Sequence, residues 1–298
     1  MPNRANRFVA LGFLVSAFFL RAAGQSHADY DELSPPGARS NAMGGAIVSD
    51  ARDVSIVFIN PAGLMALQKN SILFAHRGMT EAATIGETIA VVFNVGESTR
   101  YALSLSAEQR GEFRMSDGEE ILAHNIAFDA GQAVQLMPSV SFGTHIGLRH
   151  ADAPGFQFIR LAATLGLHYS PSPEINYAAT LRNAGVDVAT RNYRTSRSIL
   201  PVGLEVGLSM RFPSSYTKPR VTIGLANEKI FGIRGVAYKI GIEYSMADFL
   251  PLRLGYFAGP IRKGFSYGVG IRLGAVQIDY AVVAMTRRTY QLSALLEL

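Results

Sequence analysis

In the stretch KGFSYGVGIRLG, residues 263–274, large apolar side chains occupy every second position. Phe265, Tyr267, Val269, Ile271 and Leu273 form one set, and Gly264, Ser266, Gly268, Gly270 and Arg272 the other. Successive side chains on a strand point to opposite faces, so a period of two predicts a strand with one wholly apolar face. The pattern recurs in VGLEVGLSMRF (202–212), VAYKIGIEY (236–244), VQIDYAVVA (276–284), IRLAATLGLHY (159–169), VSFGTHIGLR (140–149) and YQLSALLEL (290–298). No apolar set in these segments carries a charge. The opposite sets hold Arg149, Arg160, Glu205, Arg211, Lys239, Glu243, Arg272, Asp279 and Glu297, and Arg253 takes the same position in LPLRLGYF.

Alternation alone fits either a soluble β-sandwich, with its apolar faces turned inward, or a membrane barrel, with them turned to lipid. Segment length favours the barrel. The runs reach about ten residues, as a tilted membrane strand requires, whereas ordinary strands average about five or six. The polar sets are rich in Gly, Ser and Ala, which suits a concave wall. Tyrosines such as Tyr169, Tyr238 and Tyr280 fall in the apolar set, as an interfacial girdle requires. Fourteen strands are predicted, near 71–78, 85–94, 99–107, 119–128, 134–148, 156–170, 173–183, 201–212, 219–227, 235–246, 250–257, 263–273, 275–285 and 289–298. An even count puts both ends of the barrel on the periplasmic side. The short connections near 95–98, 129–133, 171–172, 213–218, 247–249 and 274 then become periplasmic turns, and the longest external loop is 184–200.

The start of the chain reads differently. Arg4 and Arg7 precede the uncharged run Phe8–Leu20, and small residues follow Arg21. The run is too short for a spanning helix of roughly 20 residues. It reads as a secretory signal peptide, residues 1–28, cleaved after Gly24 or after Ala28. Its removal takes away three arginines and no acids from a net charge of +5, so the basic balance is no argument for nucleic acid. No cysteine is present, which excludes a disulfide framework. Only 17% of residues are charged, below the roughly 25% of soluble domains. That deficit, with no spanning helix, again points to a barrel, here assigned to 71–298 and to the bacterial outer membrane, with lipid as its surroundings.

Residues 29–70 form a lead-in. Pro35-Pro36 stiffens it, Gly44-Gly45 permits a tight backbone, Ser49 or Asp50 is positioned to cap a short helix, and Asn60-Pro61 starts another. A fourteen-strand barrel lies between those that side chains fill and the wide water channels. Residues 37–66 are therefore expected to occupy its lumen or mouth as a plug. The lumen itself is expected to carry a paired polar network of Glu205, Arg211, Lys239, Glu243, Arg253, Arg272, Asp279 and Glu297. The six histidines sit in no nucleophile, metal or acid–base motif, so no enzyme, metal site or cofactor is expected.

Gly37-Ala38-Arg39, Met43-Gly44-Gly45-Ala46 and Asn60-Pro61-Ala62-Gly63 resemble the opening signature of the PorV/PorQ family, related to FadL-type outer-membrane proteins. LPLRLGYFAGP, GFSYGVGIRLG and VQIDYAVV resemble its closing strands. The resemblance implies a fourteen-strand barrel with an amino-terminal plug. It also implies one of two roles: partnership with type IX secretion and surface-assembly proteins, or FadL-like passage of small hydrophobic molecules.

Overall fold

The computed structural model describes residues 35–79, 84–114, 120–153, 156–192, 202–215, 218–247, 249–284 and 288–298. The signal-peptide reading lies outside these residues. Fourteen antiparallel strands close into a barrel in simple chain order, with β1 paired to β14. They are β1 (Ser71–Met79), β2 (Thr84–Asn94), β3 (Thr99–Arg114), β4 (Glu120–Met137), β5 (Val140–Ala153), β6 (Phe156–Tyr169), β7 (Ile175–Asn192), β8 (Gly203–Ser215), β9 (Lys218–Ile230), β10 (Ala237–Ala247), β11 (Leu250–Ala258), β12 (Lys263–Leu273), β13 (Val276–Ala284) and β14 (Arg288–Glu297).

The alternating sets divide as the sequence predicts. Phe265, Tyr267 and Ile271 are exposed on the outside of β12, while Ser266 on the same strand is fully buried. The β1–β14 pairing closes the ring, so no strand stands as an open edge of the sheet, as a hydrocarbon surrounding demands.

Several boundaries differ from the sequence reading, most of all in β3, β4 and β7. β4 runs without a break through residues 129–133, where a turn was expected, and the reversal comes at Pro138-Ser139. The misleading residues, Asp129 and Gly131, are turn formers by type, but here they sit on the inward face: Asp129 is buried and Gly131 packs against Val57. Proline has no N–H to give a ladder, so the turn falls at Pro138 instead. β3 and β7 also extend beyond their predicted ends, to Arg114 and Asn192, so residues read as loop continue the wall and the 184–200 loop shortens.

Residues 37–67 lie inside this ring, near the lower rim, where β1 begins and β14 ends. They form a short helix, α1 (Ala38–Ala42), and two 3₁₀ turns, Val54–Phe58 and Pro61–Ala66. Asn60 caps the second turn, its side chain accepting from Ala62 N, with Pro61 in the first helical position as the sequence predicts. The first turn is capped by Asp53, which accepts from Ser55 N, and not by Ser49 or Asp50. The Asp50 carboxylate is committed to arginines, and Ser49 Oγ has no hydrogen-bond partner among the described residues. Met43, Ile47, Val54, Ile56, Ile59 and Leu64 are completely or almost completely buried and pack against Leu73, Ala90, Val92, Ala102 and Ala133 of the wall. Burying a side chain of this size contributes about 1.5–3 kcal/mol.

Candidate functional site

The inner wall is shaped to accept the segment. Gly143, Gly166, Gly207, Gly224, Gly241, Gly255 and Gly268 all stand on inward positions. A Cβ on any of them would come within 3.0 Å of a neighbouring atom, among them Ala62 N, Asn60 Oδ1, Val48 Cγ1, Ala46 O, Met43 O, Gly44 N and Ala42 Cβ of the segment. The inward glycines on β5, β6 and β8–β12 thus form a track on which the segment rests at backbone distance. The segment answers with glycines of its own. Gly44 has φ +65°, and a side chain there would strike the Tyr256 backbone.

A segment with little regular structure carries backbone groups that need partners, and the wall supplies them. Ser293 Oγ accepts from Ala38 N at 3.1 Å. Ser266 Oγ accepts from Gly44 N at 3.0 Å and donates to Ala42 O at 3.1 Å. Ser141 Oγ donates to Ala62 O at 2.9 Å. Ser209 Oγ donates to Ser49 O at 3.2 Å, which also receives His168 Nε2 at 3.0 Å. Asn41 donates to Gln291 Oε1 at 2.8 Å, and Asn60 to Leu167 O at 3.1 Å.

Charges complete the seat in two clusters. In the first, Asp50 of the segment takes both Nε and Nη2 of Arg52 at 2.7 Å, Arg211 Nη2 at 3.2 Å and Arg39 Nη2 at 2.5 Å. Arg39 Nε also donates to Glu243 of β10 at 3.0 Å. Glu243 receives Arg253 Nε at 2.6 Å, and Arg253 passes on to Asp279 at 2.6 Å. Arg52 Nη1 and Arg272 Nη2 lie 3.1 and 3.6 Å from the other oxygen of Glu243. In the second cluster, Lys239 lies 2.9 Å from both Glu205 and Glu228, and Arg182 pairs with the same two carboxylates.

Burial by itself would push Asp50 upward; Arg39, Arg52 and Arg211 outweigh it and hold the carboxyl well below its ordinary range. Burial would lower Arg39, but Asp50 and Glu243 hold it above its ordinary value. Asp53 is raised, chiefly by burial, with Arg39 opposing. An ion pair at this depth is costly to break from one side, because the partner left behind is a desolvated charge.

The structure brings together seven of the eight predicted network residues: Glu205, Arg211, Lys239, Glu243, Arg253, Arg272 and Asp279. Glu297 is the exception. It has inward parity but stands at the lower rim, largely exposed, and pairs with Lys69 at 3.0 Å. Sequence reasoning passed over Asp50, Arg52, Arg182 and Glu228 as members. Arg182 and Glu228 share the inward parity of their strands and could have been found by it. Asp50 and Arg52 lie in a segment without period, where parity is silent. Among the described residues, no group of three or more histidines, aspartates or glutamates could hold a metal ion.

Above the segment the lumen opens into a cavity of about 130 Å³. Phe58, Phe158, Ala127 and Ala151 line it together with Arg77, Glu108, Asp129, Arg149 and Arg182.

No family model matches the sequence, and no curated protein matches it. Solved structures do match the fold. The CymD monoaromatic hydrocarbon channel superposes with a TM-score of 0.67 at 12% identity, over 89% of this chain and 98% of that one. The Ralstonia pickettii toluene transporter TbuX gives 0.64 at 14%, over 90% and 99%. A Pseudomonas aeruginosa FadL homologue gives 0.59 at 11%, over 89% and 99%. The chain thus has the architecture of these barrels over nearly their whole length. The narrower PorV/PorQ resemblance has no counterpart among these matches.

Proposed function

We propose that the protein is an outer-membrane channel for small, largely apolar molecules, exported by its amino-terminal signal, with residues 37–66 as the plug that governs passage. The observation that carries this reading is the pairing of a cavity in the lumen with a seated segment directly beneath it. A solute entering from the upper side would reach the cavity and stop at the segment. In this reading, passage requires the segment to shift on its glycine track.

The matched structures support the channel role, because those named as transporters or channels share the fold over almost all of this chain. The seat also limits what can pass. Two buried charge clusters leave no greasy conduit through the lower half, so a long acyl chain is a poor fit. A role in type IX secretion and surface assembly, with secretion-machinery proteins as partners, rests on the sequence resemblance alone. We rank it second.

Uptake into proteoliposomes tests the reading. Protein with residues 37–66 deleted should admit small apolar solutes markedly faster than protein-free vesicles, and full-length protein should admit them at an intermediate rate. If both preparations match protein-free vesicles, the channel reading fails. Co-purification of the full chain with secretion components from solubilised membranes would then favour the second role.

A further inference from the structure

The lining of the cavity above the segment mixes two kinds of group in a way that specifies a ligand. Phe58 of the segment and Phe158 of β6 are apolar, and Phe158 lies diagonally across the β5–β6 ladder from Arg149. The rest of the lining includes charged groups, most of them already matched. Arg77 pairs with Glu108, and Arg182 with Glu228 and Glu205. Asp129 receives Ser104 Oγ at 3.3 Å and lies 3.5 Å from His145 Nε2. Arg149 is the exception. Among the described residues it has no hydrogen bond and no ion pair, and its Nε is buried without a partner.

Its surroundings leave room for one. Arg149 faces Ala127 across the β4 ladder, and Gly147 and Ala151 are its inward neighbours along β5. Across the β5–β6 ladder it faces Arg160, whose own Nε lies 3.7 Å from Asp187. Arg149 is half-buried; leaving its buried Nε unpaired is costly, and the guanidinium fork matches a carboxylate. The volume sets the size of the rest. About 130 Å³ is close to the roughly 150 Å³ of a cavity known to hold benzene.

We propose that this cavity binds a small monocarboxylate whose apolar part is about the size of one six-membered ring, with the carboxylate on Arg149 and the ring between Phe58 and Phe158. This rests on the channel reading and narrows its substrate class from apolar molecules to amphipathic anions. Long-chain and two-ring acids exceed the space.

Calorimetry on the full-length protein in detergent tests it, with benzoate, benzyl alcohol, toluene and 2-naphthoate as probes. Benzoate should bind at least about tenfold more tightly than benzyl alcohol or toluene, and 2-naphthoate should bind more weakly than benzoate. Arg149→Gln should abolish the preference for benzoate, whereas Arg149→Lys should keep part of it. Ala127→Leu, which fills the cavity and keeps the guanidinium, should weaken all the one-ring probes together. Equal affinity for benzoate and benzyl alcohol would overturn the proposal, as would a preference that survives Arg149→Gln. Uptake measurements separate this from the channel reading. Benzoate binding without uptake keeps the site and removes the channel, and uptake without any carboxylate preference keeps the channel and removes the site.

Discussion

The lower and upper halves of the lumen are walled by the same fourteen strands, yet they treat space in opposite ways. Below, inward glycines and serines draw the amino-terminal segment to backbone distance, and arginines and carboxylates pair across the contact. Above, the inward positions Arg77, Glu108 and Arg149 surround a cavity, and among the described residues Arg149 has no hydrogen bond or ion pair. Strand number fixes the diameter of a barrel, but it does not decide whether the interior is full. That choice is made residue by residue at inward positions, and small side chains can mean either a seat or a void, depending on what lies opposite.

The comparison can be broken most sharply at Asp50. Asp50→Asn would leave Arg39, Arg52 and Arg211 facing each other in a buried cluster. Breaking a buried pair from one side costs about 3–5 kcal/mol. The urea midpoint of the folded barrel should fall accordingly, and a cysteine at Ala46 should become reactive to maleimide at a rate approaching that of one at the turn residue Gly96. A cysteine at Ala46 that stays protected would show that packing alone holds the lower half.

A matched pair of glycine changes comes next. At Gly143 a Cβ would collide with the Pro61–Ala62 backbone, while at Gly86, in the upper half, its nearest neighbour would be Glu108 Oε2 at 3.5 Å. Gly143→Ala should therefore cost about 1–3 kcal/mol, as overpacking does. Gly86→Ala should be neutral or stabilise by up to about 1 kcal/mol, because alanine is the better strand residue. Denaturant midpoints measured on both variants decide this, and equal losses would erase the distinction between the halves.

The effect of pH is smaller and its sign is fixed by two aspartates of the segment. Asp50 is depressed, so its contribution is complete above the ordinary carboxylate range, about pH 4, and is lost only as pH falls through its lower folded value. Asp53 is raised by burial, so the folded state gains as pH falls toward about 4. Between pH 7 and 4, wild-type protein should therefore gain stability relative to Asp53→Asn, measured as the difference in urea midpoints. Smallest of all is Glu297→Gln. Its pair with Lys69 is exposed at the rim, and such pairs contribute about 0–1 kcal/mol, so the midpoint should barely move.

The legible part of the molecule was the part with a period. Alternation gave the wall, its fourteen strands and the inward position of residues as far apart as Glu205 and Asp279, because a strand in a two-sided environment must alternate. It failed where residue type and position disagree. Asp129 and Gly131 have the chemistry of a turn but lie in mid-strand, since an inward position in a barrel tolerates what a sheet interior usually does not. Glu297 shows the reverse fault: parity says which face a side chain takes, not how far along the strand the lumen ends. The roles of Asp50 and Arg52 were hidden for a different reason. Their partners come from β8 and β10, and nothing local in an aperiodic stretch encodes a contact across so many residues.

The hydrogen bond from Ala38 to Ser293 bridges 255 positions of the chain, and α1 rests on β11 through β14, the last strands to leave the ribosome. The segment that begins at α1 therefore has nowhere to settle until the final strands exist, and the β1–β14 seam must close around a guest already in place or admit it through the open rim afterwards. Loop-closure entropy makes such distant pairings slow. Maturation of this barrel is thus tied to both termini at once, and a chain cut short before its last hairpin would lose the interior along with the wall.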